Sequence, residues 1–446
     1  MAIHPIDFRY GTPDMKAVWS EENRFAAIVK SEVALAKAQA KHGMIPIDAS
    51  EDIAAKAKTA SLERAKEIEN EINHDMMSIV RAVTEVCGDS GRWIHYGATS
   101  NDILDTATGI QVKESLFLIE AKLRALLAIL LKRADETKNL VCAGRTHGQI
   151  GVPTTYGLRF AIWASEVGRH IERLEQLRPR VAVGQMTGAV GTMAAMGDKG
   201  YEVMVSMMEY LELYPVDVSN QIIQRDRYAE YFMLLANIAT TLDKIGIEIR
   251  MMQRSEIGEM EESFGKMQVG SSTMPHKRNP IKSEQVCGLA RIVRSFVEPS
   301  LLNNTLWDER DLTNSSCERV TFPESSILAD HILAVMIKVL DGVKINEANI
   351  RRNLNLLHGV NMAESVMIEL TKSGMDRQEA HELIRVSSMT AIEVQRPLAG
   401  ILMENETVAK YLSEERINEL LDPENYIGTA VWQVENVIKK LTPLSI

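Results

Sequence analysis

Cysteine, surplus positive charge, long apolar runs and alternating strand patterns are all scarce in this sequence. The four cysteines among 446 residues, Cys87, Cys142, Cys287 and Cys317, lie far apart with no C-x-x-C pair. That excludes a disulfide framework and a cysteine zinc site, and it suits a reducing compartment. Lysine and arginine number 50 against 61 aspartates and glutamates, a net charge of −11. An acidic surface does not draw nucleic acid or an anionic membrane, so neither is expected as a partner, and any anionic ligand must be met by local positive charge. The most apolar stretch, "LRALLAILL", is closed off by Lys122 and Lys132, too short for a bilayer, and the N-terminal "MAIHPIDFRYGTPDM" has no export-signal core. A soluble, untargeted, cytoplasmic protein is the expectation.

Proline is sparse in an informative way. None occurs between Pro46 and Pro153, between Pro215 and Pro275, or between Pro323 and Pro397, which marks three long helical tracts. In the second, Tyr228, Tyr231, Leu235, Ile238, Leu242, Ile245, Ile249 and Met252 alternate steps of three and four, the seam of a helix packed nearly parallel to its neighbours. Residues 231 to 242 carry no charge, so this stretch is expected to be surrounded on all sides. A rod of roughly 40 residues would reach ~60 Å and is easiest to bury in a bundle shared between subunits. No sustained apolar/polar alternation and no Asn-Gly hairpin is found, so the fold class is all-α. Turn-rich seams at "GDSGRWIHYGATSND" and "DGVKINEANI" divide the chain into 1–97, 98–343 with the long-helix bundle, and 344–446.

What is present is a set of polar clusters that interrupt the helical pattern. "HYGATSND" (95–102) offers short donors that cap the next helix or hold a carboxylate at its N-terminus. "GRTHGQ" (144–149) places His147 between a hydroxyl and a glycine, either a proton donor or a plain surface turn. "GQMTGAVGTMAAMG" (184–197) is glycine-rich but has the spacing of neither a dinucleotide fingerprint nor a P-loop. In "LWDERDLTNSSCERV" (306–320), Arg310, Ser315 and Arg319 could converge on a phosphate.

The most telling cluster is "GSSTMPHKRNP" (270–280). Between Glu262 and Glu284 no carboxylate occurs, while Lys266, His276, Lys277, Arg278 and Lys282 crowd together. Glycines and prolines give such a segment the shape of an anion cradle, with Lys277 as a fixed charge. By its chemistry alone Ser271 could serve as base, nucleophile or hydrogen-bond donor.

"GSSTMPHKRNP" resembles the G-S-S-x-M-P-x-K-x-N signature of the fumarase/aspartase superfamily. "GATSND" and "GRTHGQ" precede it in the superfamily's order, and the resemblance spans essentially the whole chain. "FRYGTPDM", "HYGATSNDILDT", "PHKRNP" and "LWDERDLTNSSCERVTFPES" are similar to the branch that cleaves succinylated purine nucleotides. The resemblance implies a helical three-domain subunit, a homotetramer with composite active sites drawn from three subunits, anti β-elimination of fumarate, and no metal or organic cofactor. It implies that Ser271 takes the succinyl Cβ proton, that His147 protonates the leaving nitrogen, and that Lys277, Asn279 and Glu284 organise the site. Arg9 and Tyr10 become phosphate and nucleotide contacts, joined by His74, His95, Arg310, Ser315 and Arg319. Thr99 and Ser100 hold a succinyl carboxylate, Gln221 the base or carboxylate, and Thr146, Ser272 and Met274 complete the lining. Ile150–Gly151 and Ile222 depart from the family pattern. A sibling reading is a carboxymuconate cycloisomerase, whose loop is nearly identical but whose substrate has no phosphate for Arg310 and Arg319. A non-catalytic helical scaffold is the reading from outside enzymology.

Overall fold

The computed structural model describes residues 3–445 except 266–272 and 275. Helices dominate. Their longest members are Ser100–Glu136 with 37 residues, Thr313–Gly342 with 30, Asp226–Met252 with 27 and Tyr156–Val181 with 26. The expected 40-residue rod in the second proline-free tract is therefore shorter: 27 residues, ~40 Å. The whole seam predicted for it, from Tyr228 to Met252, is buried. One stripe of the same helix is not: Met233, Ile247 and Met251 are exposed, and so are Asn237 and Thr240. The expectation of burial on all sides does not hold within the single chain.

Proline also misleads at two points. Pro179 and Pro323 lie inside helices, Pro179 in the last turn of Tyr156–Val181 and Pro323 within Thr313–Gly342. The first tract, from Pro46 to Pro153, breaks into several helices and a hairpin.

By internal contacts the chain forms two compact units. One comprises 1–123, 170–242 and 288–334; the other comprises 124–169, 243–287 and 335–446. In the first unit the helix Glu21–Lys41 is started by Ser20, whose hydroxyl accepts from the Asn23 amide, with Glu21 and Glu22 favourably placed in the first turn. It buries small residues on more than one side, among them Ala27, Ala34, Ala36 and Ala38, in the same core as Val203, Met204, Met207 and Met208 of Gly200–Leu211. Small against large lets the backbones approach while the thioethers fill the gaps, and each fully buried methionine contributes about 1.5–3 kcal/mol. Gly109, in Ser100–Glu136, is required by a close approach: a Cβ there would overlap the Val183 carbonyl oxygen. Thr313–Gly342 is long and apolar enough to cross a membrane, but it is a core helix with Phe322, Ile327, Ile332, Leu333 and Met336 buried.

The second unit has a separate C-terminal core from Val366, Leu370, Ala380, Ile384, Leu398, Leu402 and Ile417. It also contains the structure's main departure from helix. β1 (Val141–Thr146) pairs antiparallel with β2 (Gln149–Thr155). The all-α reading holds, with this hairpin as a short exception that no Asn-Gly pair announced. The two-residue turn is His147–Gly148, with φ of 54° and 77°, the doubly left-handed conformation that an Asn-Gly pair normally signals. Histidine is among the few non-glycine residues that tolerate it.

Candidate active site

In the first unit two glycine-containing clusters are joined by one buried carboxylate. Asp102 accepts from the Thr99 amide at 2.9 Å, the Thr187 amide at 2.7 Å and the Gly188 amide at 3.1 Å. Burial pushes its carboxyl above the usual carboxylate range, against the pull of those three amides. The "HYGATSND" turn is thereby tied to the glycine-rich 184–197 segment, which proves to be a scaffold and not a free turn. Gln221 joins the same segment, donating to the Ala189 carbonyl at 2.9 Å, while Gln185 donates to the Gln221 carbonyl at 2.9 Å. Thr99 and Ser100 stand at the start of the 37-residue helix, where amides and the helix dipole favour a carboxylate.

His95 is held at φ 59° by Glu32, a fully buried carboxylate. Glu32 accepts the His95 amide at 3.0 Å and lies 2.7 Å from its Nδ1. Burial alone would lower the imidazole pKa, but the Glu32 hydrogen bond and charge, with Asp102 beyond, reverse this and raise it. His74 caps the helix Asp75–Cys87 through its Nδ1, accepting from the Met77 amide at 3.3 Å.

Arg310, Ser315 and Arg319 do converge. They line one cavity of about 280 Å³ together with Trp19, Arg24, Asn101 and Arg225. Arg225 braces it: its guanidinium meets Asp105 at 2.8 Å through two nitrogens and Glu318 at 3.1 Å. Those carboxylates overcome the cost of burial and raise the Arg225 pKa, while burial raises that of Glu318. Arg310 is in the opposite situation. One of its terminal nitrogens is buried without a partner, and burial followed by the nearby Arg225 charge lowers its pKa. Arg319 donates to Asp75 at 2.5 Å. Arg9 and Tyr10 are elsewhere in this unit, Arg9 over the Tyr10 ring and Tyr10 against His331, and they do not line the cavity.

In the second unit His147 is exposed at the hairpin tip, flanked by Thr146. The strand behind it is anchored by Glu259, which is 0% exposed. Its carboxylate accepts from Arg145 at 2.5 Å, the Tyr156 hydroxyl at 2.8 Å and the Asn353 amide at 2.8 Å. Burial acts to raise the Glu259 pKa, but those hydrogen bonds prevail and lower it. The signature segment has a built base. Glu262 accepts the Lys282 amide at 3.2 Å and the Ser283 amide at 2.6 Å, capping the helix Ile281–Ser295, and Gln253 donates to the Arg278 carbonyl at 3.1 Å. Arg278 is not uncompensated as the sequence suggested: Glu261 lies 3.7 Å away, and the guanidinium stacks over Phe264. Met274, Lys277 and Glu284 are exposed, and Asn279 is half-buried beside the start of that helix. Ser271 and Ser272 lie outside the described residues. Sequence reasoning missed Glu32, Asp102, Arg225 and Glu259 because a lone carboxylate or arginine in a helical pattern reads as surface charge.

Comparison with known proteins identifies the class, an enzyme of the lyase type. The family model described as "Lyase" matches residues 7–294, and that described as "Adenylosuccinate lyase C-terminus" matches 359–437. The chain is 55% identical to the adenylosuccinate lyase of Methanocaldococcus jannaschii, covering 99% of this chain and 96% of that one. It is 53% identical to that of Archaeoglobus fulgidus, covering 98% of both. Among solved structures, a fumarate lyase from Mesorhizobium sp. superposes with a TM-score of 0.89 at 32% identity, covering 96% of this chain and 98% of that one. A 3-carboxy-cis,cis-muconate lactonizing enzyme from Pseudomonas putida gives 0.89 at 30%, covering 99% of each. This chain belongs to the adenylosuccinate lyases, a C–N lyase family within the fumarase/aspartase superfamily. The muconate and scaffold readings are not favoured.

Proposed function

We propose that the protein releases fumarate from adenylosuccinate, giving AMP, and from the succinyl-aminoimidazole-carboxamide ribotide of purine biosynthesis. The observation that carries this reading is the convergence of Arg310, Ser315 and Arg319 on one cavity, with a buried Arg310 nitrogen left to bond an anion. A nucleotide phosphate supplies the several acceptor oxygens such a set needs.

In this mechanism Ser271 removes the proton from the succinyl Cβ. Negative charge then grows on a carboxylate that is already ionised, and Thr99, Ser100, the helix start behind them, Lys277 and Asn279 stabilise it. His147 protonates the departing nitrogen from the opposite face, so that elimination is anti. The reaction uses no metal or organic cofactor.

Homotetramers, with each active site assembled from three subunits, are part of the proposal, as are the domains 1–97, 98–343 and 344–446 and a cytoplasmic location. Two features support the assembly: His147 projects from a hairpin tip, and the exposed face of Asp226–Met252 includes Met233, Ile247 and Met251. Absorbance on mixing the purified protein with adenylosuccinate tests the reaction. Arg310→Ala and Arg319→Ala should each raise KM by about 10- to 100-fold, the worth of one charge-assisted hydrogen bond. Unchanged KM in both variants would remove the nucleotide from this reading.

A further inference from the structure

The four arginines around the 280 Å³ cavity differ sharply in how far their charge is already met. Arg225 is saturated by Asp105 and Glu318. Arg319 is held by Asp75. Arg310 keeps one buried nitrogen without a partner. Arg24, in the first turn of Glu21–Lys41, makes no hydrogen bond or ion pair through its guanidinium among the described residues. Glu21, Glu69 and Asp75 act on it only from beyond ion-pair distance.

Arg24 also occupies a particular place. With Arg319 it lines both the 280 Å³ cavity and a neighbouring one of about 240 Å³. Burial and the Arg319 charge both work against its protonated form, so two cations stand close together at the divide between the two cavities. A planar fork of five donors beside two further arginines matches an anion with several oxygens better than a single carboxylate.

We propose that Arg24 is a further substrate-binding residue, which donates to the nucleotide phosphate alongside Arg310 and Arg319. This rests on the function proposed above. Asp75 then orients Arg319, and Arg24 supplies the remaining donors.

The test uses the full-length enzyme and the variants Arg24→Met and Arg24→Lys, with adenylosuccinate as substrate and AMP and fumarate as inhibitors. For Arg24→Met, KM and the AMP inhibition constant should rise about 30-fold, kcat should fall less than about threefold, and fumarate inhibition should stay within about twofold. Arg24→Lys keeps the charge but loses the fork, so AMP inhibition should weaken by about fivefold or more with fumarate again unaffected. If Arg24→Met does not fold, by circular dichroism, Arg24→Lys decides alone. An AMP constant within about twofold of the parent value, or equal weakening of AMP and fumarate, would overturn the assignment and leave Arg24 as packing for Asp75. The unsubstituted enzyme run in parallel separates the two readings. If it fails to turn over adenylosuccinate, the functional reading fails; if it turns over while Arg24→Met behaves like the parent, only the Arg24 assignment fails.

Discussion

Replacing Glu259 by glutamine tests how the hairpin that presents His147 is held. Glu259 is fully buried, and its carboxylate satisfies Arg145, Tyr156 and Asn353 at 2.5, 2.8 and 2.8 Å. Glutamine keeps the shape but brings an NH2 group to face one of those donors, and it leaves the Arg145 guanidinium without a counter-charge. Removing one partner of a buried pair costs about 3–5 kcal/mol. Arg145 is 14% exposed, so water recovers part of this, and about 2–4 kcal/mol is expected. The measurement is urea denaturation followed by circular dichroism, with kcat recorded on the same preparations. The acid limb adds a second reading. Because the folded-state pKa of Glu259 lies below its ordinary value of 4.5, its stabilisation is fully present above that pH and is lost as pH falls through the folded value. Glu259→Gln should therefore flatten the decline of stability below about pH 4.5. The double variant with Arg145→Met should lose less than the two single losses added together. A loss under about 0.5 kcal/mol with an unchanged acid limb would show that Glu259 does not anchor the hairpin.

Two further substitutions probe the histidines. Glu32→Gln removes the charge that raises the His95 pKa. The stability His95 gains from Glu32 is full below its unfolded value near 6.5 and fades as pH rises through the higher folded value, so the variant should lose stability at pH 5–6 and shift any His95-dependent limb of the pH–rate profile to lower pH. Coincident profiles from pH 5 to 9 would sink this assignment. His147→Asn replaces a left-handed turn residue with one that favours that conformation. The hairpin should be unharmed or gain a few tenths of a kcal/mol while kcat falls by about 100-fold or more, and retained turnover would end the general-acid role.

The parts of this molecule that announce themselves in sequence are those set by periodicity. The step pattern from Tyr228 to Met252 gave a helix whose seam is buried at every position. Arg310, Ser315 and Arg319 were legible because three polar groups spaced four or five residues apart flank one helix start, Arg310 just before Thr313–Gly342 and the other two within its first two turns. The hairpin was not legible, since Thr-His-Gly-Gln lacks the usual Asn-Gly pair and, although Ile150, Val152 and Thr154 alternate in the second strand, the first has β-branched residues only at its two ends. Glu32, Asp102 and Glu259 stayed hidden for another reason. Their partners are backbone amides and residues 63 to 114 positions away, and no local pattern encodes such a distance. Proline 323 shows the reverse error, a strong local signal overruled by the packing of a 30-residue helix.

The Glu262 bond to the amides of Lys282 and Ser283 ties the chain at residue 262 to the start of the helix Ile281–Ser295. A glutamate on one side of the signature thus clasps the helix start on the other, so the distance between these two anchor points is set by residues outside the signature itself.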